Sequence, residues 1–158
     1  MRVAIVTISD SVSRGERPDG SGPAVSERCK ALGWEVGSTH VVADDQSAIE
    51  SRLLMLAESG HADLILTTGG TGIGPRDVTP EATAAVCTRL LPGIGERMRF
   101  EGRAKNPRSD LSRAVAGVRG TTLIVNLPGS PRGAVESLDA IASLIPHAVD
   151  VLHGARHD

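Results

Sequence analysis

Four glycines and two charged residues are crowded between an apolar stretch and the start of a predicted helix. Residues 64–82 read LILTTGGTGIGPRDVTPEA, with glycine at positions 69, 70, 72 and 74. Glycine leaves the main chain bare and permits φ > 0, so an anionic ligand can approach the backbone N–H groups. Arg76 and Asp77 follow at once. The pattern predicts a phosphate-binding loop, and the simpler alternative is a sharp strand-to-helix turn that binds nothing.

Two familiar phosphate-binding motifs do not fit this loop. The G-x-G-x-x-G fingerprint of dinucleotide-binding folds needs a third glycine where Pro75 or Asp77 stands. The Walker A motif needs a lysine directly after Gly74, and Pro75 occupies that place. The loop therefore belongs to neither class, and any phosphate would be bound without the usual lysine.

Carboxylates follow three predicted strands. Asp10 comes after the first strand, Asp44 and Asp45 after the second, and Asp77 after the third. Mg²⁺ takes one or two carboxylates together with waters and phosphate oxygens, so Asp77 and either Asp44 or Asp45 are candidate metal ligands. Each aspartate also has a structural alternative, because Asp77 could form a turn and Asp44 or Asp45 could cap a helix. The residues alone leave that choice open.

A third polar loop and several basic residues complete the candidate site. Gly129, Ser130 and Pro131 place N–H groups at a predicted helix start, which is either an anion site or an ordinary cap. Most surface basic residues are only solvated. Six of them could nevertheless neutralise a polyphosphate: Arg76, Arg103, Lys105, Arg108, Arg113 and Arg132.

Elements that position these residues can be predicted from the apolar pattern. Strands are predicted at residues 3–8, 34–42 and 63–67, and a hairpin at 114–118 and 121–126. Helices are predicted to begin at Pro23, at a capping box formed by Ser47 and Glu50, and at Pro80 with Thr79 as cap. The helix from Pro80 is expected to carry four residues inward: Ala82, Ala85, Val86 and Leu90.

Two further helices complete the predicted order. One covers residues 94–103, and one begins at Pro131, capped by Ser130 and divided at Pro146. Strands alternating with helices predict an α/β fold, with a layered, mostly parallel mixed sheet flanked by helices. Because ligands of such sheets bind at the carboxyl ends of strands, the loops TISDS, TTGGTG and NLPGS should converge on one pocket.

Composition excludes several classes of function. The 158 residues are expected to form one domain, 1–158, with an aliphatic core, because there is one Phe, one Trp and no Tyr. The lack of aromatic residues for base stacking and a net charge of -2 both argue against nucleic-acid binding. No segment has the ~20 apolar residues that a membrane span needs. Cys29 and Cys87 lack metal-ligand spacing, which predicts buried thiols in a reducing cytoplasm.

The sequence resembles the molybdopterin adenylyltransferases of molybdenum-cofactor biosynthesis, whose relatives include the corresponding domain of gephyrin. The resemblance covers residues 3–153 and rests on three stretches: GGTGIGPRDVTPEAT, LSRAVAGVRGTTLIVNLPGSPRGAVE and TISDSVSRGERPDGSGP. It implies a homotrimer and Mg²⁺-dependent transfer of AMP from ATP to the terminal phosphate of molybdopterin, with release of pyrophosphate. A partner protein would then insert molybdate into the adenylylated pterin.

The same resemblance implies roles for individual residues. Asp44 matches the family's essential aspartate, Asp77 its second functional aspartate and Ser112 a serine near the bound adenylate. Three loops match those that line the ligand pocket: Thr7, Ser9 and Asp10; Gly69, Gly70, Thr71 and Gly72; Pro128, Gly129 and Ser130. One departure is visible, because Ala43 stands where family members commonly have proline, and Asp45 could share the role of Asp44.

Two other functions remain as alternatives. A second branch of the same superfamily shares the glycine loop and the SRAVAG stretch and only binds the pterin. Asp77 and the intact RDVTPEA block favour the adenylylating branch. The other alternative is a non-catalytic trimeric scaffold, and a compact domain without a linker or partner motif argues against it.

Overall fold

A six-stranded sheet forms the centre of the molecule, in a computed structural model that describes residues 1–155. The strands are β1 (Arg2–Ile8), β2 (Glu35–Val42), β3 (Leu64–Thr68), β4 (Arg89–Leu90), β5 (Ala116–Arg119) and β6 (Thr122–Leu127). Their spatial order is β2-β1-β3-β6-β5-β4. The first four in this order run parallel, β5 is antiparallel to β6, and β4 is antiparallel to β5. The predicted mixed, mostly parallel sheet is confirmed.

Helices cover both faces of this sheet. They are α1 (Asp10–Ser13), α2 (Ser21–Ala31), α3 (Gln46–Glu58), α4 (Thr79–Val86), α5 (Pro92–Arg103), α6 (Pro131–Ile141) and α7 (Ile145–Leu152), with a 3₁₀ turn at Pro107–Leu111. Helices α3 and α4 pack on one face, and α2, α5, α6 and α7 on the other. None of the helices within residues 1–155 is both long and apolar enough to cross a bilayer.

The core is mostly aliphatic, although Trp34 belongs to its larger cluster, and the sheet divides it into two layers. Along β1, Val3 and Ile5 face the larger cluster, whereas Ala4 and Val6 face the cluster under α3 and α4. This alternation follows from the period of two in a strand, and burial on both sides explains the nearly continuous apolar run. The one Phe of the chain, Phe100, lies on the surface with 67% of its area exposed.

The predicted hairpin and the divided C-terminal helix are confirmed. Strands β5 and β6 pair antiparallel around Gly120, which has φ +58°. Helix α6 ends at Ile141 and α7 begins at Ile145, directly before Pro146. The helix predicted from Pro23 begins two residues earlier, at Ser21. An irregularity in the β1–β2 register leaves Gly37 without a partner, so this glycine forms a bulge in a continuous strand.

The prediction that one helix extends from Pro80 to Leu90 is wrong. Helix α4 ends at Val86, because Cys87 adopts extended angles of φ -77° and ψ 137°. Leu90 lies instead in the edge strand β4 and is 47% exposed, and Ala85 faces solvent. The backbone around Leu90 bonds to β5 rather than to the helix, with Leu91 N–H donating to Ala116 O at 2.8 Å. Tertiary pairing with an edge of the sheet therefore overrides the helical pattern.

Candidate active site

A cavity of about 470 Å³ opens at the carboxyl ends of β1, β3 and β6. Its wall includes eight residues predicted from the sequence: Thr7, Ser9, Asp44, Gly69, Gly70, Asp77, Gly129 and Ser130. The strand-end loops approach each other closely, since a Cβ on Gly129 would lie 3.2 Å from Gly69 Cα. The structure thus brings the three predicted loops together at the edge where α/β sheets bind ligands.

A second cavity, of about 350 Å³, adjoins the first and shares Ser130 with it. Its wall holds three further predicted loop residues and the candidate serine: Thr71, Gly72, Pro128 and Ser112. The glycine loop therefore contributes to both cavities, with Gly69 and Gly70 in the first and Thr71 and Gly72 in the second. Two ligands could bind side by side against the same loop.

Asp44 faces the first cavity, and Asp45 does not. Asp45 caps α3 at the protein surface, because its carboxylate accepts a hydrogen bond from Ala48 N–H at 2.9 Å. The predicted capping box led by Ser47 is therefore wrong by two residues. Once Asp45 is assigned to the cap, Asp44 is the carboxylate of this pair that a ligand in the cavity can reach.

Asp44 is held in place by Asp10. The amide N–H of Asp10 donates to the Asp44 carboxylate at 2.8 Å, and the amide N–H of Asp44 donates to the Asp10 carboxylate at 3.0 Å. Partial burial raises the pKa of Asp44, and the negative charges of Asp10 and Asp77 add to that rise, although the bond from Asp10 opposes it. A carboxylate whose charge is disfavoured gains from a bound cation.

Asp10 itself does not line either cavity. Its carboxylate accepts two bonds from the Arg76 guanidinium, at 3.1 and 3.2 Å, and this contact lowers the pKa of Asp10. Asp10 therefore orients Asp44 rather than meeting the ligand directly. Arg76, predicted as a phosphate neutraliser, is paired with Asp10 at the surface.

Asp77 closes the far end of the glycine loop. Its carboxylate accepts the Gly74 N–H at 2.9 Å, and its own N–H donates to Gly74 O at 3.0 Å. A Cβ on Gly72 would lie only 2.8 Å from the same carboxylate oxygen. The turn role suggested for Asp77 is therefore real, and the carboxylate lines the first cavity as well.

The first two glycines of the loop have a conformation and surroundings that exclude larger residues. Gly69 has φ +100° and Gly70 has φ +67°, both in the region that side chains disfavour. A Cβ on Gly69 would collide with the carbonyl oxygen of Ile8, and one on Gly70 would collide with the Thr79 hydroxyl. Two glycines are thus required for the turn itself, while the loop also leaves its backbone accessible to a ligand.

Thr79 does not cap α4, contrary to the prediction. The N-cap position is Val78, and the buried Thr79 hydroxyl donates to Gly69 O at 2.9 Å while its N–H donates to Gly70 O at 3.1 Å. The first residue of α4 therefore holds both carbonyls at the start of the glycine loop. The sequence therefore placed Thr79 correctly at the start of α4, but its hydroxyl bonds to the glycine loop and not to the helix N–H groups.

Replacing Thr79 with Val is expected to lower the free energy of unfolding by about 1 to 2 kcal/mol, because it leaves the buried Gly69 carbonyl without this donor. Urea unfolding of wild type and variant measures the difference. Thr88→Val is a matched control, since the Thr88 hydroxyl donates to Val118 O at 3.1 Å from an exposed residue. Equal losses in the two variants would contradict the importance of the buried bond.

Ser130 and Ser112 occupy helix-start and loop positions beside the second cavity. Ser130 caps α6 as predicted, accepting the Gly133 N–H at 3.1 Å, and it still reaches both cavities. Ser112 Oγ accepts the Ala114 N–H at 3.3 Å. The start of α6 thus combines an ordinary cap with a place where an anion is favoured.

Sequence reasoning missed part of the first cavity, in the loop that leads to α2. Asp19 lines it and accepts bonds from the Thr7 hydroxyl at 2.7 Å and from the Gly22 N–H at 3.0 Å. Arg17 also lines it, with Nε donating to Ser11 at 2.7 Å. The polar composition of this loop marked it as irregular, but no periodicity indicated which of its side chains point inward.

The donor set of the first cavity fits a magnesium ion. Asp44 and Asp77 both line it, and the negative charge of Asp77 raises the cost of ionising Asp44. Within residues 1–155, no group of three or more His, Cys, Asp or Glu side chains could hold a metal by itself. Mg²⁺ commonly uses one or two carboxylates and takes its other ligands from water and phosphate, so two aspartates suffice.

The chain is similar in sequence to proteins of a known family. Residues 4–147 match the family described as "probable molybdopterin binding domain". The molybdopterin adenylyltransferase of Helicobacter pylori strain J99 is 40% identical over 156 residues, covering 98% of this chain and 89% of the relative. The molybdopterin adenylyltransferase of Escherichia coli strain K12 is 39% identical over 156 residues, covering 94% and 80%.

Solved structures show the same fold. The molybdopterin biosynthesis enzyme MoaB from Thermus thermophilus matches with a TM-score of 0.92 and 47% identity, covering 99% of both chains. The molybdopterin biosynthesis Mog protein from Mycobacterium ulcerans matches with a TM-score of 0.88 and 41% identity, covering 95% of this chain and 97% of its own. The chain therefore belongs to the molybdopterin-binding domain family, together with the molybdopterin adenylyltransferases that it resembles over nearly its full length.

Proposed function

We propose that this protein is a molybdopterin adenylyltransferase of molybdenum-cofactor biosynthesis. It transfers AMP from ATP to the terminal phosphate of molybdopterin, giving adenylylated molybdopterin and pyrophosphate. The observation that supports this most directly is the pair of adjoining cavities that share the glycine loop and Ser130. A reaction between two phosphate-bearing substrates needs two such places side by side.

The reaction requires alignment and charge neutralisation more than an activated nucleophile. Both reacting groups are anionic, and a phosphate that is already ionised at neutral pH needs no strong base. Backbone N–H groups of the glycine loop and of the α6 start near Gly129 and Ser130 bind the phosphates. Ser112 lines the second cavity, and its hydroxyl proton is available to an acceptor on the ligand.

Asp44 and Asp77 would hold Mg²⁺ on the phosphates of ATP. Held there, Mg²⁺ would supply charge neutralisation for the α-phosphate of the transferred adenylyl group and for the leaving pyrophosphate. Asp10 keeps the Asp44 carboxylate oriented through its backbone N–H, and Gly74 does the same for Asp77. The two carboxylates are therefore fixed from different loops before a substrate arrives.

Product formation is the decisive test of this function. Wild-type protein is incubated with ATP, Mg²⁺ and molybdopterin, and the mixture is analysed by mass spectrometry for adenylylated molybdopterin and by assay for pyrophosphate. We expect both products in equal amounts. Tight binding of molybdopterin without any consumption of ATP would instead identify a non-catalytic pterin-binding protein or a scaffold.

We also propose that the protein acts as a homotrimer. Phe100 and Leu144 line one open apolar groove and are 67% and 40% exposed, and Leu90 of the edge strand β4 is 47% exposed. Exposed apolar patches of this kind are typical of interfaces between subunits. A cytoplasmic location, a single domain over residues 1–158 and a molybdate-inserting partner that consumes the product remain predictions.

Replacing Phe100 with Asp is expected to convert the trimer to monomers, because a charge would be buried in the subunit interface. Light scattering coupled to gel filtration measures the mass. Met55→Asp is the control, since Met55 is 52% exposed but lies on α3, across the sheet from the groove. A trimeric F100D, or a monomeric wild type, would contradict the proposed interface.

A further inference from the structure

We propose that Arg113 couples the two cavities, so that a ligand in one strengthens the binding of a ligand in the other. Arg113 is a positioning residue, acting through the glycine loop rather than on a substrate. This inference rests on the proposed function, because it assumes that the two cavities bind the two substrates of adenylyl transfer.

The Arg113 guanidinium binds the glycine loop at two separated points. Nε donates to Gly72 O at 2.7 Å, and Nη2 donates to Asp77 O at 2.7 Å. Nη1 is paired with the carboxylate of Glu81 in α4. One side chain therefore holds the middle of the loop at Gly72, its end at Asp77, and helix α4 that follows.

The backbone of Arg113 adds a fourth attachment. Its N–H donates to Thr71 O at 2.8 Å, and it directly follows Ser112 in the chain. Thr71, Gly72 and Ser112 line the second cavity, whereas Asp77 lines the first. Position 113 is thus bonded to loop residues from the walls of both cavities.

These bonds also orient the peptide groups of the loop. Because a trans peptide places its C=O and N–H on opposite sides, the carbonyls that bind Arg113 direct the following N–H groups away from it. Arg113 therefore satisfies three of the loop's carbonyl oxygens, those of Thr71, Gly72 and Asp77, and turns them away from an anion. A ligand that restricts this loop from one cavity also restricts, through Arg113, the loop residues that line the other cavity. The second ligand then loses less conformational entropy on binding, and the result is positive cooperativity.

An arginine is required for this role rather than any cation. Its planar guanidinium carries several donors in fixed directions, whereas lysine provides a point charge on a flexible stem. By its sequence alone, Arg113 is one of several basic residues that could neutralise a polyphosphate. Its donors are instead engaged by Gly72, Asp77 and Glu81, so it acts on the loop and leaves phosphate binding to the backbone.

The test compares R113K with R119K. Arg119 is a close match, because it also contacts a backbone carbonyl and a glutamate, Val86 O at 3.4 Å and Glu58 at 2.8 Å. The two arginine side chains are similarly exposed, 38% for Arg113 and 35% for Arg119. Neither Val86 nor Glu58 lines a cavity, whereas Arg113 bonds to residues that do. A general effect of losing a surface arginine would therefore appear in both variants.

Binding is measured by calorimetry with Mg²⁺ and the α,β-methylene analogue of ATP, whose α–β linkage cannot be cleaved, in the absence and presence of saturating molybdopterin. We expect molybdopterin to tighten nucleotide binding about 5-fold or more in wild type and in R119K, a typical strength of coupling between sites. In R113K, we expect the coupling to fall to about 2-fold or less, whatever affinity each ligand alone retains, because the coupling is a ratio of two affinities measured on the same variant.

The inference is overturned by wild-type coupling in R113K, by an equal loss in R119K, or by a wild type that adenylylates molybdopterin without coupling. Failure of the proposed function looks different, because the wild type would then form no adenylylated product.

If R113K does not fold, the same binding measurement is made on E81Q, which removes the exposed acidic partner of the Arg113 guanidinium. It is expected to lose at least half of the coupling, and full coupling in E81Q overturns the inference.

Discussion

Replacing Asp44 with Asn is expected to lower kcat/KM for adenylylation by about 10²-fold or more, the usual cost of removing one charge-stabilising group from an active site. The variant keeps an oxygen that can accept the Asp10 N–H, so the loop geometry should persist. It loses the negative charge that would hold Mg²⁺ with Asp77. Steady-state kinetics with varied ATP and Mg²⁺ measures the loss.

The same substitution lowers activity but is expected to leave the stability of the folded protein unchanged or to increase it. Burial and the neighbouring carboxylates raise the pKa of Asp44 above its ordinary value, so its ionised form is disfavoured in the folded protein. At neutral pH, wild type therefore carries a destabilising charge, and this cost disappears as the pH falls through the raised pKa. D44N should unfold at the same temperature as wild type or higher, which separates loss of function from loss of fold.

Asp45→Asn is the matched control for Asp44→Asn. Asp45 is the adjacent residue with the same side chain, but it caps α3 through Ala48 N–H and does not line the cavity. Asparagine also caps helices well, so D45N should keep nearly full activity and stability. Comparable losses of activity in D44N and D45N would contradict the assignment of Asp44 as the metal-binding carboxylate.

The pair Asp44 and Asp45 shows what the sequence could and could not predict about the site. Strand ends and loop composition were sufficient to place both residues at the carboxyl edge of the sheet. The choice between them depends on which one lies at the N-cap of α3, and helix boundaries are the least reliable part of a sequence-based prediction. The predicted capping box at Ser47 would have left both aspartates available as ligands.

Arg113 and Asn126 show a second limit, because their roles depend on contacts between distant segments. Asn126 is fully buried, and its amide donates to Thr67 at 3.0 Å and to Thr83 at 2.8 Å. It therefore ties β6 to β3 and α4, on either side of the glycine loop. Nothing in the sequence near Asn126 or Arg113 identifies these partners, whereas every strand except β4 followed from local patterns of apolar residues.

The glycine loop is the part of the site that local sequence predicted best, and Gly69 is where its geometry is most restrictive. Gly69→Ala is expected to lower the free energy of unfolding by about 2 to 5 kcal/mol, which combines the strain of φ +100° with overpacking against Ile8 O. Chemical unfolding measures this loss. Activity should fall as well, because relief of the collision moves the loop that both cavities share.

Gly33→Ala separates the two contributions to that effect. Gly33 follows the end of α2 with φ +78°, but a Cβ there would meet nothing within 4 Å. Its replacement should therefore cost only the backbone term, about 1 to 2 kcal/mol, and leave kcat unchanged. If G69A were no less stable than G33A and equally active, the close approach of Gly69 to β1 would not be what fixes the loop. A larger loss in G69A would attribute the difference to the contact with Ile8, which lines the first cavity beside Gly69.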